Sequence, residues 1–89
     1  MIIEKDFILK NKLGIHVRPA AMLVQVANKF KSEVYLCKDK QTVNGKSIMG
    51  ILTLAAGQGS KLSIRIEGSD AEEMLKQLEK LFENKFDEE

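Results

Sequence analysis

His16 is the single histidine of the sequence, and it lies in the run GIHVRPA at residues 14–20. Apolar residues at helical spacing begin just after it, so His16 stands where a loop meets a helix. The first amides of a helix have no intrahelical acceptor and carry partial positive charge. We therefore expect a neutral imidazole there, since a second positive charge would be repelled. A neutral ring keeps a nitrogen lone pair available for nucleophilic attack.

The neighbours of His16 would suit a phosphoryl group carried on that nitrogen. The anion would face the helix N-terminus, and Arg18 could add a guanidinium donor. Pro19 would fix the first helical turn, and Gly14 would allow close approach of the backbone. The residues alone leave a second interpretation open, in which His16 is only an N-cap and Arg18 a solvated side chain. A metal site is disfavoured, because no second histidine, cysteine cluster or spaced carboxylate set accompanies His16.

The elements that must position this histidine follow from hydrophobic periodicity. Alternation predicts strands, helical spacing predicts helices, and Gly57 and Gly59 mark the end of a short one. In chain order the pattern predicts a strand at Ile2–Leu9, a helix at Val17–Asn28, strands at Glu33–Lys38 and Gln41–Val43, a short helix at Ile48–Leu54, a strand at Leu62–Glu67 and a final helix.

The final helix carries its own start pattern. Ser69 followed by Glu72 predicts a capping box. An apolar stripe at helical spacing follows, made of Met74, Leu75, Leu78, Leu81 and Phe82. We expect the last three residues, 87–89, to be frayed.

The predicted order is β-α-β-β-α-β-α in one domain, residues 1–89. The strands alternate instead of being apolar throughout, which favours an antiparallel sheet covered on one face only. The predicted fold class is α+β: an open-faced β-sandwich with a four-stranded antiparallel sheet and three helices on one face.

Composition excludes several function classes. Fourteen Lys and Arg residues against thirteen Asp and Glu give a net charge of +1, so nothing favours a nucleic-acid partner. No apolar run approaches the ~20 residues of a membrane span, and the first residues lack the pattern of a signal peptide. Cys37 is the only cysteine and cannot form an internal disulfide. We expect a soluble, cytoplasmic monomer with no membrane insertion, cofactor or metal ion.

Two motifs carry a family resemblance. The run GIHVRPAA at residues 14–21 resembles the active-site signature of HPr, the histidine-containing phosphocarrier family of the bacterial phosphoenolpyruvate-dependent phosphotransferase system. The run VNGKSIMG at residues 43–50 resembles that family's regulatory-serine segment. LAAGQGS at residues 54–60 and the closing strand and helix also match, so the similarity covers essentially the whole chain.

The resemblance implies a specific role for the histidine. His16 would be phosphorylated on Nδ1 by phospho-Enzyme I and would pass the group to an EIIA-type component, in sugar uptake or a nitrogen-related branch. Arg18 would assist transfer, and the backbone amides of Val17 and Arg18 would contact the phosphoryl oxygens. The protein would then be a phosphocarrier with a phosphohistidine intermediate, not a stand-alone enzyme.

Ser47 has a structural and a regulatory interpretation. It stands at the start of the short helix, where an N-cap contributes about 1 kcal/mol. In many relatives the matching serine is phosphorylated by an HPr kinase/phosphorylase, which would add about −1.5 to −2 charges here. The alternative function is therefore a regulatory-only HPr-like protein that acts through Ser47 phosphorylation and partner binding.

The short helix also carries an apolar stripe that is either core or docking surface. Ile51 and Leu54 are enough to anchor so short a helix, so its other apolar side chains are expected to remain exposed beside His16. The resemblance implies that partners bury Ile48, Met49 and Leu52 of this short helix together with Val17 and Ala21 of the helix after His16.

Overall fold

A computed structural model describes residues 1–88 and shows the predicted order of elements. The strands and helices are β1 Ile2–Ile8, α1 Val17–Ala27, β2 Glu33–Lys38, β3 Gln41–Asn44, α2 Ile48–Leu52, β4 Lys61–Glu67 and α3 Ala71–Glu83. The main difference from the sequence pattern is α2, which ends two residues earlier than expected because Thr53 and Leu54 form a turn.

The four strands form one antiparallel sheet in the order β1-β4-β2-β3. β1 pairs with β4 along its whole length, from Ile2 with Glu67 to Ile8 with Lys61. β2 lies between β4 and β3 and pairs with both. The predicted open-faced sandwich is therefore confirmed.

The hydrophobic core lies between one face of this sheet and the helices. Strand β4 shows the expected alternation, with Leu62, Ile64 and Ile66 buried while Arg65 is exposed on the other face. Helices α1 and α3 pack against each other, and α1 also packs against α2. The helical side chains fully buried in this core are Ala20, Leu23, Ala27, Ile51, Ala71, Met74 and Leu78.

The predicted capping box at the start of α3 is wrong. The N-cap position belongs to Asp70, not Ser69, and its side chain makes no capping hydrogen bond. The Asp70 carboxylate instead accepts hydrogen bonds from the backbone amides of Lys31 and Ser32, each at 2.9 Å, and from the Ser32 hydroxyl. The Asp70 carboxylate, which could have capped α3, thus accepts hydrogen bonds from a distant segment of the chain instead.

The chain after α3 is ordered, so the prediction of a frayed end is wrong for Asp87 and Glu88; Glu89 lies outside the described residues. Lys85, Phe86 and Asp87 form a turn in which all three residues have positive φ, between 52° and 59°. Phe86 is 1% exposed, and its ring packs edge-on against that of Phe82 with centroids 5.0 Å apart. This buried ring anchors the turn that precedes Glu88.

Within residues 1–88 no helix is both long and apolar enough to span a bilayer.

Candidate functional site

His16 occupies the N-cap position of α1, as its place in the sequence predicts. Its backbone is extended (φ −101°, ψ −164°), and its carbonyl accepts the first helical bond from Ala20 N at 3.1 Å. The imidazole does not cap the helix, and 38% of the side chain is exposed. The amides of Val17 and Arg18 follow in the first turn, where no intrahelical acceptor exists. The ring therefore lies at a helix N-terminus and is accessible to solvent.

The loop before His16 is held by hydrogen bonds on both sides. Gly14 N donates to Asn11 O at 3.1 Å, and Asn11 Nδ2 donates back to Gly14 O at 2.6 Å. Ile15 N donates to Ala56 O at 2.9 Å, in the loop that follows α2. Gly14 has φ +66°, a conformation that glycine adopts without steric cost. The loop thus fixes the backbone from which His16 projects.

Glu88 makes a contact with His16 that the sequence pattern did not predict. His16 Nε2 and Glu88 Oε2 are 2.8 Å apart, and Glu88 Oε1 accepts from Asn11 Nδ2 at 3.0 Å. The two side chains of the His16–Glu88 pair are 72 positions apart in the chain. The one usable indication was Phe86, an aromatic residue in an otherwise polar tail.

The Glu88 carboxylate is stabilised in its ionised form. Burial raises the pKa of this carboxyl, but hydrogen bonds from Asn11 and His16, with smaller electrostatic contributions from His16 and Arg18, outweigh burial and leave the pKa below its ordinary value. Arg18 itself is exposed to solvent, in the first turn of α1.

Ser47 is the N-cap of α2, as predicted. Its backbone is extended, and its Oγ accepts a hydrogen bond from Gly50 N at 3.0 Å. The residue is partly exposed.

The five predicted contact positions, here called the apolar patch, differ in exposure. Met49 is 74% exposed and Val17 is also exposed. Ile48 and Leu52 are half-buried and pack against the core, and Ala21 is half-buried as well. Ile51 and Leu54 anchor the helix from below, as expected. The prediction of an exposed stripe therefore holds fully for Met49 and only in part for Ile48 and Leu52.

Residues 1–88 contain no group of three or more His, Cys, Asp or Glu side chains placed to hold a metal ion. Cys37 is half-buried in β2 and has a free thiol.

Comparisons of sequence and of structure with known proteins match this chain to the same family. Residues 3–84 match the family model described as "PTS HPr component phosphorylation site". The phosphocarrier protein HPr of Treponema pallidum (strain Nichols) is 46% identical over 88 residues, covering 99% of this chain and 100% of that protein. The crystal structure of HPr-C-His from Thermoanaerobacter tengcongensis superimposes with a TM-score of 0.93 at 48% identity, covering 98% of each chain.

A second solved structure of a relative is of a dimer. The crystal structure of an HPr dimer from Thermoanaerobacter tengcongensis has a TM-score of 0.76 at 50% identity, covering 88% of this chain and 90% of that one. Family model, relatives and solved structures agree, and this chain belongs to the HPr family of phosphocarrier proteins of the phosphotransferase system.

Proposed function

We propose that this phosphocarrier accepts a phosphoryl group on Nδ1 of His16 from phospho-Enzyme I and passes it to an EIIA-type component. The observation that carries the proposal is the position of His16 itself: a solvent-accessible imidazole at the N-cap of α1 that is not used to cap the helix. A partner protein can contact a nucleophile in this position directly.

The surrounding groups supply charge stabilisation for the transferred group. The free amides of Val17 and Arg18 and the positive end of α1 favour an anion on the ring. The Arg18 guanidinium, two residues further on, can add charge-assisted hydrogen bonds to phosphoryl oxygens. In the transfer, the Nδ1 lone pair attacks phosphorus, and the bond between phosphorus and the donor nitrogen breaks with its electron pair returning to the donor. The second transfer reverses these roles, so the protein is a carrier and not a stand-alone enzyme.

The apolar patch is the surface proposed for partner docking. Met49 and Val17 present exposed apolar area on α2 and α1, and these helices pack against each other. A methionine side chain adapts its shape to different partners, which suits a carrier that must bind both a donor and an acceptor.

Ser47 is the proposed regulatory position, modified by an HPr kinase/phosphorylase. It directly precedes Ile48 and Met49 of the apolar patch. A phosphate there would place about −1.5 to −2 charges beside the docking surface. It would weaken the binding of partners that present acidic or apolar groups to this surface.

We further propose that the protein acts in the cytoplasm, where its partners bind it, and as a monomer. Its relative from Thermoanaerobacter tengcongensis has been crystallised as a dimer. Light scattering on the purified protein distinguishes the two states, and a concentration-independent dimer mass would reject the monomer.

The test of the main proposal is phosphoryl labelling. The protein is incubated with Enzyme I and labelled phosphoenolpyruvate, and the expected product holds acid-labile, base-stable phosphate. His16→Ala should abolish labelling, whereas the matched variant Ser47→Ala should keep it. Unchanged labelling of His16→Ala would reject the assignment. Labelling of Ser47 by a kinase together with no transfer from Enzyme I would instead favour the regulatory-only function.

A further inference from the structure

The contact between the C-terminal tail and His16 is built from several parts of the molecule. Glu88 uses one carboxylate oxygen for His16 Nε2, at 2.8 Å, and the other for Asn11 Nδ2, at 3.0 Å. The Glu88 side chain is only 13% exposed. The carboxylate is therefore held at both oxygens and shielded from competing water.

Asn11 is oriented to serve this carboxylate. Its Nδ2 group faces two acceptors, Gly14 O and Glu88 Oε1, which fixes the direction of the amide. The Asn11 side chain is fully buried, and its Oδ1 atom has no hydrogen-bond partner among residues 1–88. If the amide were flipped, Oδ1 would face the acceptor oxygens of Gly14 and Glu88 and would have no donor. The buried amide thus presents a donor to Glu88.

The tail is anchored by the core. Phe86 lies against Phe82, whose ring stacks on Phe7 with centroids 4.4 Å apart. Lys85, Phe86 and Asp87 then form a left-handed turn that leads to Glu88. Because three consecutive residues with positive φ are unfavourable alone, the buried ring must hold this turn in place.

The hydrogen bond to Glu88 selects one form of the imidazole. An ionised carboxylate can only accept, so His16 Nε2 must donate. The low pKa of the Glu88 carboxyl keeps it in that accepting state. In a neutral ring with its proton on Nε2, the lone pair available for attack is on Nδ1.

We propose that Glu88 is a positioning residue for phosphoryl transfer: it holds the Nε2–H tautomer and orientation of His16, and it offsets the positive charge that the ring gains when Nδ1 bonds to phosphorus. This inference rests on the proposed function. During transfer the Nδ1–P bond forms, the donor N–P bond breaks with its pair going to the donor nitrogen, and the Nε2 proton stays on the ring beside Glu88. The same carboxylate serves the return transfer to the acceptor.

The test combines ring-nitrogen NMR with transfer rates. In protein labelled with ¹⁵N at His16, the wild type should show a protonated Nε2 and an unprotonated Nδ1, and Glu88→Ala should introduce the other tautomer. Transfer from Enzyme I should slow by about tenfold in Glu88→Gln, since the variant loses a charge-assisted hydrogen bond. Glu88→Asp, which keeps the charge, should recover part of the rate.

A matched control separates this contact from the general charge of the tail. Asp87→Asn removes the same charge one residue earlier, at an exposed side chain, and should keep the wild-type rate and ring spectrum. Rates that are unchanged or faster in Glu88→Gln would overturn the proposal, as would slower transfer with the same tautomer in Glu88→Ala. If wild-type protein takes up no phosphoryl group, the proposed function fails instead. The ring spectra, which need no partner, still test the contact.

Discussion

A Cβ atom added to Gly14 would lie 2.2 Å from the backbone carbonyl oxygen of Ala56. This close approach joins the loop before His16 to the loop after α2, since Ile15 N bonds to the same oxygen. Gly14→Ala should therefore lower the free energy of unfolding by about 2 kcal/mol, through positive-φ strain and displacement of the loop. Gly57→Ala is the control in urea unfolding, because its Cβ would meet no atom within 4 Å. Equal stability of the two variants would contradict the tight contact.

Phe86 should contribute to stability as a core residue does. Phe86→Ala removes a ring that is 1% exposed, and we expect a loss of about 3 kcal/mol in the free energy of unfolding. The His16 ring-nitrogen spectrum should change as well, because Glu88 loses its anchor. Leu13→Ala, at an exposed loop position, should stay close to wild type. A Phe86→Ala variant as stable as Leu13→Ala would mean that the tail does not pack.

Two serines precede helices, and only one of them should matter for stability. Ser47 Oγ accepts from Gly50 N, so Ser47→Ala should lower the free energy of unfolding by about 1 kcal/mol. Ser47→Asp should keep most of it, since aspartate is also a good N-cap. Ser69→Ala should have little effect, because α3 begins after Asp70. Chemical denaturation of the three variants checks this order. A larger loss of unfolding free energy in Ser69→Ala than in Ser47→Ala would mean that Ser69 does cap α3.

Asp70 should make stability depend on pH in the acid range. Hydrogen bonds from the Ser32 hydroxyl and the Lys31 amide, opposed by burial and aided by the Ser32 amide, hold the pKa of its carboxyl below the ordinary 3.8. Because the pKa is lower in the folded state, the ionised carboxylate stabilises the protein at pH values above the unfolded-state pKa. This stabilisation is lost as the pH falls through the folded-state pKa. The stability difference between wild type and Asp70→Asn should thus be largest near neutrality and shrink in strong acid. A difference that is constant with pH in urea titrations would contradict this.

Met49 should affect partner binding and not folding. Met49→Asp places a charge on an exposed side chain of α2, so the free energy of unfolding should change by no more than about 0.5 kcal/mol. Loss of an interface anchor should slow phosphoryl uptake from Enzyme I, at limiting concentrations, by about tenfold. Ile8→Asp adds the same charge at an exposed position of β1 and should keep the rate. Similar rates for wild type and Met49→Asp would remove α2 from the docking surface.

The sequence predicts what depends on local periodicity. Alternation in β4 and helical spacing after His16 located the sheet, the core and the N-cap position of the histidine. Ser47 was predictable for the same reason, since its bond to Gly50 spans three residues. The failures are contacts across the fold. The Asp70 carboxylate accepts hydrogen bonds from Ser32, 38 positions earlier, and Glu88 contacts His16 after a turn that contains no glycine. Neither contact leaves a recognisable pattern in the neighbouring sequence.

The strand order constrains how the protein can be made. Each residue of β1 pairs with one far along the chain, from Ile8 with Lys61 to Ile2 with Glu67. Such non-local pairing must wait for loop closure, which slows folding relative to helical proteins of similar size. During translation the first strand therefore has no complete partner until residue 67 of the 89 has left the ribosome, and a product that ends before Lys61 lacks the strand with which β1 pairs.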